Sequence, residues 1–202
     1  MSLSDYRPEK GFLAELEGQA LYSAGLEVGH LGPLLELGSY CGLSTVFLGS
    51  ASKATGNTLY ALDHHRGSEE HQVGELYHDA DLYDPVLKHM NSFPEFCRTL
   101  AKAELENTVI PVIASSEQAL RHWATPLALV FIDGGHSEQM AMDDCMGWSQ
   151  HVLVGGILAI HDIYPSPEEG GQGPRLAMEA VLAGADFELI EQVGSLAFLR
   201  RL

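Results

Sequence analysis

Short apolar runs alternate with helix-spaced stretches along most of the chain. Runs rich in aliphatic residues occur at 34–37, 58–62, 109–113, 127–132 and 157–160, a length that suits strands. Between them, 43–53, 94–103, 117–123 and 138–148 carry apolar positions at helical spacing. Alternation of this kind predicts a parallel sheet with helices packed on its faces. Ser115 or Ser116, and Ser137, stand just before two of these helices, where a hydroxyl can accept a bond from an otherwise unpaired N–H. A further stretch, 11–24, with Phe12, Leu13, Leu16, Ala20 and Leu21 as its apolar positions, predicts a helix ahead of the first strand.

The pattern changes after residue 160. A Pro/Gly/Glu-rich loop at 165–174 leads into a short helix at 175–182, and the runs 187–193 and 196–199 flank Gly194-Ser195, which reads as a closing hairpin. The stretch 66–92 is polar, lacks sustained periodicity and exceeds an ordinary strand-to-helix connection. It is expected to act as a lid or substrate loop on a single domain spanning 1–202, a Rossmann-like α/β three-layer sandwich.

Charge narrows the partners. Eleven Lys and Arg against 28 Asp and Glu give a formal net charge of -17, a field that repels phosphate backbones and anionic membrane surfaces. The basic residues form no stripe that could override it. No apolar run is long enough to span a bilayer, and the first residues lack a secretory hydrophobic stretch. The chain is therefore expected in the cytoplasm with a small-molecule substrate, no nucleic acid and no membrane. Cys41, Cys97 and Cys145 are odd in number and include no C-x-x-C pair, so they read as reduced, mostly buried thiols.

The most specific segment runs from Leu34 through Glu36, Gly38, Ser39, Tyr40, Cys41 and Gly42 to Ser44: a short strand, two glycines and a helix start. Gly38 permits a tight turn and close ligand approach, and Gly42 lets the helix start lie near the sheet. Asp63 ends the next strand, where a carboxylate can accept from both ribose hydroxyls. Glycine turn plus acid indicates an adenosine ligand. Tyr40 and Cys41 fill the stretch that a pyrophosphate would need open, which disfavours NAD and the dehydrogenase reading. S-adenosylmethionine carries no phosphate and tolerates this turn, with Glu36 available to its cationic methionine end.

At these residues the chain resembles the class I S-adenosylmethionine-dependent methyltransferases, and especially their catechol O-methyltransferase-like, metal-dependent group. The resemblance runs from Gly11 to Leu199. It implies a mainly parallel seven-stranded sheet whose last strand is inserted antiparallel, and a cofactor surrounded by Glu36, Gly38, Ser39, Tyr40, Gly42, Ser44, Asp63, His64, Ser115, Ser116 and Asp133. A homodimer is expected by the same analogy.

The fourth strand ends in Asp133-Gly-Gly-His136 and the fifth in His161-Asp162. In an open parallel sheet these tips converge beside the ligand. Two carboxylates and two imidazoles can hold a divalent cation; magnesium suits the aspartates, whereas imidazole favours manganese, iron or zinc. The resemblance makes Asp133, His161 and Asp162 the metal ligands, with His161 a departure from the usual acid. It puts His136 where that group often has a proton-removing lysine, beside Asp133 as the other catalytic residue. An imidazole can serve as that base at neutral pH. The same residues also admit a bland reading, with Asp133 capping the next helix and touching the cofactor amine, and His161 a supporting histidine. His64, His65, Glu69, Glu70, His71 and His78 follow Asp63 closely; their spacing matches no standard zinc motif and reads mainly as a solvated loop. O-methylation of a small-molecule hydroxyl is the reaction expected, with a binding module lacking chemistry as the alternative.

Overall fold

The computed structural model describes residues 3–67, 79–135 and 137–202. In chain order they form α1 (Glu15–Val28), β1 (Leu34–Leu37), α2 (Leu43–Thr55), β2 (Leu59–Leu62), β3 (Tyr83–Asp84), β4 (His89–Met90), α3 (Phe93–Lys102) and β5 (Val109–Val112). There follow α4 (Ser116–Leu120), β6 (Leu127–Ile132), α5 (Glu138–Ser149), β7 (Val152–Ile160), α6 (Gly173–Ala183), β8 (Phe187–Val193) and β9 (Leu196–Arg201). Seven strands make one sheet in the order β5-β2-β1-β6-β7-β9-β8. The first five in that order run parallel, and β9 is inserted antiparallel to both β7 and β8. The Rossmann-like sheet and its closing hairpin are as the hydrophobic pattern and the resemblance implied.

Alternation along the strands sends side chains to two cores. Leu34, Phe131, Ile157 and Ala159 join Leu21, Ala24 and Val28 of α1 in one. Leu35, Leu37, Val130, Ile132, Leu158 and Ile160 join Ala141, Cys145 and Trp148 of α5 and Ala177 of α6 in the other. Every position of β1 and β6 is buried, as expected for central parallel strands covered on both faces. The chain turns one way from β1 to β2 and the other way from β6 to β7, so the gap beyond the carboxyl ends of β1 and β6 is the switch point where such sheets bind ligands.

Two local expectations need correction. The buried face of α1 is Glu17, Gly18, Leu21, Ala24, Gly25 and Val28, while Phe12 and Leu16 are 63% and 70% exposed. Small residues decide this: a Cβ on Gly18 would stand 2.3 Å from the Phe47 ring, so α1 turns its glycines toward α2. Strand β7 starts at Val152, not 157. The described end of segment 66–92 is a short 3-10 turn, 80–82, and the β3–β4 hairpin. Leu82 and Met90 pack there on Cys41, and Lys10 pairs with Asp79 and Asp81. Glu69, Glu70, His71, His78 and His136 lie outside the described residues.

Candidate active site

The glycine turn is built by backbone constraints. Gly38 has φ +87°, and a Cβ there would fall 2.0 Å from the Asp133 carbonyl oxygen; only glycine fits both. Gly42 has φ +93°, and its missing side chain admits Thr99 of α3, whose Cγ2 a Cβ would approach to 2.9 Å. The close packing expected of Gly42 is thus with a helix and not with the sheet. Tyr40 also takes a positive φ, 45°, and its N–H donates to Asp63 Oδ2 at 2.8 Å. The His65 N–H donates to Asp63 Oδ1 at 2.6 Å. One carboxylate therefore ties the tip of β2 to the turn.

Glu36 points to the α1/α2 side, as Leu34 does, and is fully buried beneath the turn. It accepts from Ser44 Oγ at 3.0 Å and from Thr45 Oγ1. Burial pushes its carboxyl up to about 7, against the lowering effect of those hydroxyls. Ser39 is buried in the same turn. Ser115 caps α4, accepting from the Gln118 N–H at 3.3 Å. The Ser116 hydroxyl donates to Asp144 and accepts from Trp148 Nε1 at 2.8 Å, which ties α4 to α5. Trp148 is fully buried and stacks edge-on to Trp123 at 5.2 Å, so both tryptophans are packing residues.

Asp133 and His161 meet because Phe131 is in register with Ala159, which places the next odd positions side by side. His161 Nδ1 lies 3.1 Å from Asp133 Oδ1 and 3.5 Å from Asp162 Oδ1. Its parity follows Ile157 and Ala159 toward α1, and Nε2 lies 3.2 Å from Glu17 Oε2. Burial alone would lower this imidazole's pKa, but the Asp133 hydrogen bond and the charges of Asp133 and Asp162, with Glu17, raise it to about 9. For Glu17 burial acts upward, and hydrogen bonds from Ser195, His161 and Ala14 outweigh it and hold the carboxyl below its ordinary range. Tyr164 donates its hydroxyl to Asp162 Oδ1 at 2.9 Å. Beyond it opens a groove of about 600 Å³ lined by residues including Ile163, Tyr164, Arg175, Gln192 and Ser195.

The structure thus brings Gly38, Ser39, Tyr40, Asp63 and Asp133 to one edge, with His161 and Asp162 beside them. Helix α5 is capped by Ser137, which removes that role from Asp133. His64 is partly exposed next to Asp63, whereas His65 is buried, with Nδ1 2.8 Å from Ser92 Oγ and its ring against Phe93 and Phe96. Sequence reasoning missed Glu17, Tyr164 and Ser195. A signal existed for Glu17, an acid four residues before Leu21 on the apolar side of a helix; the contacts of Tyr164 and Ser195 depend on loop paths that have no periodicity to read. Among the described residues no helix is long and apolar enough to cross a membrane.

A glycine turn, an acid at the tip of β2 and seven strands in this order define a methyltransferase-type site. A family profile described as "Methyltransferase domain" matches residues 35–163, more than half of the chain, and the chain belongs to that family. The class I, S-adenosylmethionine-dependent assignment read from residues 36–44 and Asp63 stands with it. Solved structures share the fold. The O-methyltransferase TomG from Streptomyces achromogenes, involved in tomaymycin synthesis and solved with S-adenosylmethionine, is 15% identical with TM-score 0.63, covering 94% of this chain and 81% of its own. An O-methyltransferase from Bacillus cereus with S-adenosylhomocysteine is 16% identical with TM-score 0.66, over 96% and 84%. The O-methyltransferase NovP is 18% identical with TM-score 0.69, over 91% and 78%.

Proposed function

We propose that this chain is a cytoplasmic enzyme that methylates a hydroxyl of a small molecule, using S-adenosylmethionine. The observation that carries the reading is the pairing of two acidic tips across one glycine turn: Asp63 hydrogen-bonded into the turn, and Asp133 whose carbonyl lies against Gly38.

The donor set suits that cofactor. Among the described residues each Asp63 oxygen accepts one backbone N–H, and a carboxylate oxygen has a second acceptor site for a ribose hydroxyl. When bound, S-adenosylmethionine supplies a sulfonium methyl group that an oxygen nucleophile displaces in line. The chain's task is alignment: Asp63 and the turn hold the nucleoside, and Asp133 faces the reacting end. The groove beside Tyr164 offers the acceptor a lining that mixes apolar Ile163 and Met178 with polar Arg175, Gln192 and Ser195. His136, which follows Asp133 by three residues, takes the proton of the acceptor hydroxyl. The β3–β4 hairpin shields the turn from outside through Leu82 and Met90.

Asp133, His161 and Asp162 each offer one ligand atom, all within 4.8 Å of one another, a set that fits a divalent cation. Mixed imidazole and carboxylate donors suit manganese better than magnesium. Such a cation would lower the pKa of the acceptor hydroxyl.

Calorimetry with S-adenosylmethionine and with NAD, each with and without manganese, followed by methylation assays over a panel of hydroxyl compounds, tests the proposal. Binding of the sulfonium nucleoside alone, with turnover lost in Asp133→Ala, is expected. Preference for NAD would overturn it. Binding without turnover on any acceptor would reduce the protein to a binding module, and turnover indifferent to EDTA would remove the cation.

A further inference from the structure

Of the histidines that follow Asp63, His65 is withdrawn from solvent. It is 2% exposed, and its ring centroid lies 5.1 Å from that of Phe93 and 5.2 Å from that of Phe96. Ser92, wholly buried, meets it twice across 27 residues of chain: the Ser92 N–H donates to the His65 carbonyl at 3.1 Å, and Ser92 Oγ lies 2.8 Å from Nδ1. Ser92 occupies the N-cap of α3, where a serine hydroxyl ordinarily accepts from a free helix N–H. Here it makes no such bond and serves the imidazole instead.

The residue so anchored has a backbone that needs anchoring. Its φ is 58°, a left-handed conformation that crowds any Cβ and persists only where the surroundings impose it. That conformation turns the His65 N–H back toward Asp63, two residues earlier, whose Oδ1 accepts it at 2.6 Å in an Asx-type turn. With Oδ2 taking the Tyr40 N–H at 2.8 Å, the carboxylate is held through both oxygens. Either bond alone would leave it free to pivot, because the terminal torsion of an aspartate has broad minima.

We propose that His65 is a positioning residue for the ribose of the cofactor: its imidazole, anchored by Ser92 and caged by Phe93 and Phe96, keeps residue 65 in the left-handed turn that sets the rotation of the Asp63 carboxylate. This rests on the reading of Asp63 as the acceptor of the ribose hydroxyls. Helix α3 thereby acts on cofactor affinity without touching the cofactor, through Ser92 at its N-terminus.

Calorimetry with S-adenosylhomocysteine and with its 2′-deoxyribose analogue tests the role, because only a residue that acts through Asp63 treats the two differently. The native chain should prefer the complete ribose by roughly 10- to 100-fold, the range for a hydrogen bond to a charged acceptor. In His65→Ala the preference should shrink to about threefold or less, through weaker binding of S-adenosylhomocysteine, with the analogue held within about twofold. His65→Asn should restore most of it, since asparagine enters the left-handed region more readily than other residues with a Cβ. Equal weakening of both ligands in His65→Ala would make the residue merely structural and overturn the proposal, as would a preference left at the native value. If His65→Ala fails to fold, Ser92→Ala decides, since it removes the Nδ1 partner and keeps the backbone donor: a preference reduced at least threefold supports the proposal, and a native preference overturns it. A native chain that binds both ligands alike would strike the ribose reading of Asp63 and this proposal together, whereas discrimination that survives in the variants strikes this proposal alone.

Discussion

The Cα of Gly38 lies so close to Asp133 that a methyl group on it would reach 2.0 Å from the Asp133 carbonyl oxygen. The nucleotide turn and the acid of β6 are therefore fixed to each other by backbone contact, before any side chain or ligand acts.

Gly38→Ala should accordingly disrupt the edge. The substitution meets a backbone atom that cannot swing away and a φ of +87° that penalises any Cβ. A loss of about 3 kcal/mol or more is expected, read as a lower urea midpoint with an unchanged m-value. A variant within ~0.5 kcal/mol of the native chain would show that the turn and β6 are not in contact.

Most of the sheet was legible because the strands carry their own boundaries. The run at 127–132 is wholly apolar and that at 34–37 is apolar but for Glu36; they are followed by Asp133 and Gly38, and both strands stop there. Helix starts were equally readable where a serine precedes them, as at Ser115 and Ser137. The orientation of α1 was not, because its contact face is chosen by Gly18 and Gly25 fitting against α2, and a count of apolar positions gives glycine no weight. The site was legible to the extent that it sits at strand tips: Asp63, Asp133, His161 and Asp162 all follow a strand end. For Glu17 only its place on the apolar side of α1 could be read; its partners are 144 and 178 residues away, and nothing local marks what a buried acid pairs with.

Glu36 offers a test of burial through pH. Its folded-state pKa of about 7 stands above the ordinary 4.5, so the folded chain holds this proton more tightly than the unfolded one. Its contribution to stability is then present at low pH and declines as the pH rises from 4.5 to about 7, by an amount on the order of 3 kcal/mol. Glu36→Gln has no proton to lose. Urea titrations at pH 5 and pH 8 should show the variant gaining on the native chain by roughly that amount. An identical gap at both pH values would mean that the carboxyl is ionised throughout.

His161 gives the slope at higher pH. Its pKa of about 9 against an ordinary 6.5 means the imidazolium is favoured in the folded chain. The stabilisation is complete below pH 6.5, drains away as the pH rises through 9, and is again on the order of 3 kcal/mol. Thermal unfolding in EDTA at pH 6, 7.5 and 9.5 should show the native chain weakening over this range and His161→Gln staying flatter. Equal slopes would place the ring's charge outside the folding balance.

Ser116 distinguishes a structural hydroxyl from a cofactor contact. It accepts from the indole N–H of Trp148, which is fully buried, and donates to Asp144. Removing it leaves a buried donor and a buried acid each without this partner, and a buried polar group left unmade costs about 1–3 kcal/mol. Ser116→Ala should therefore unfold about 2–3 kcal/mol sooner, while Ser115→Ala, which removes only a helix cap, should cost about 1 kcal/mol. If the hydroxyl works for the fold, S-adenosylmethionine affinity in Ser116→Ala will hold within about twofold, a change worth under ~0.5 kcal/mol. A tenfold loss of affinity with stability intact would instead assign Ser116 to the cofactor, and its bonds to Asp144 and Trp148 would then be its resting arrangement.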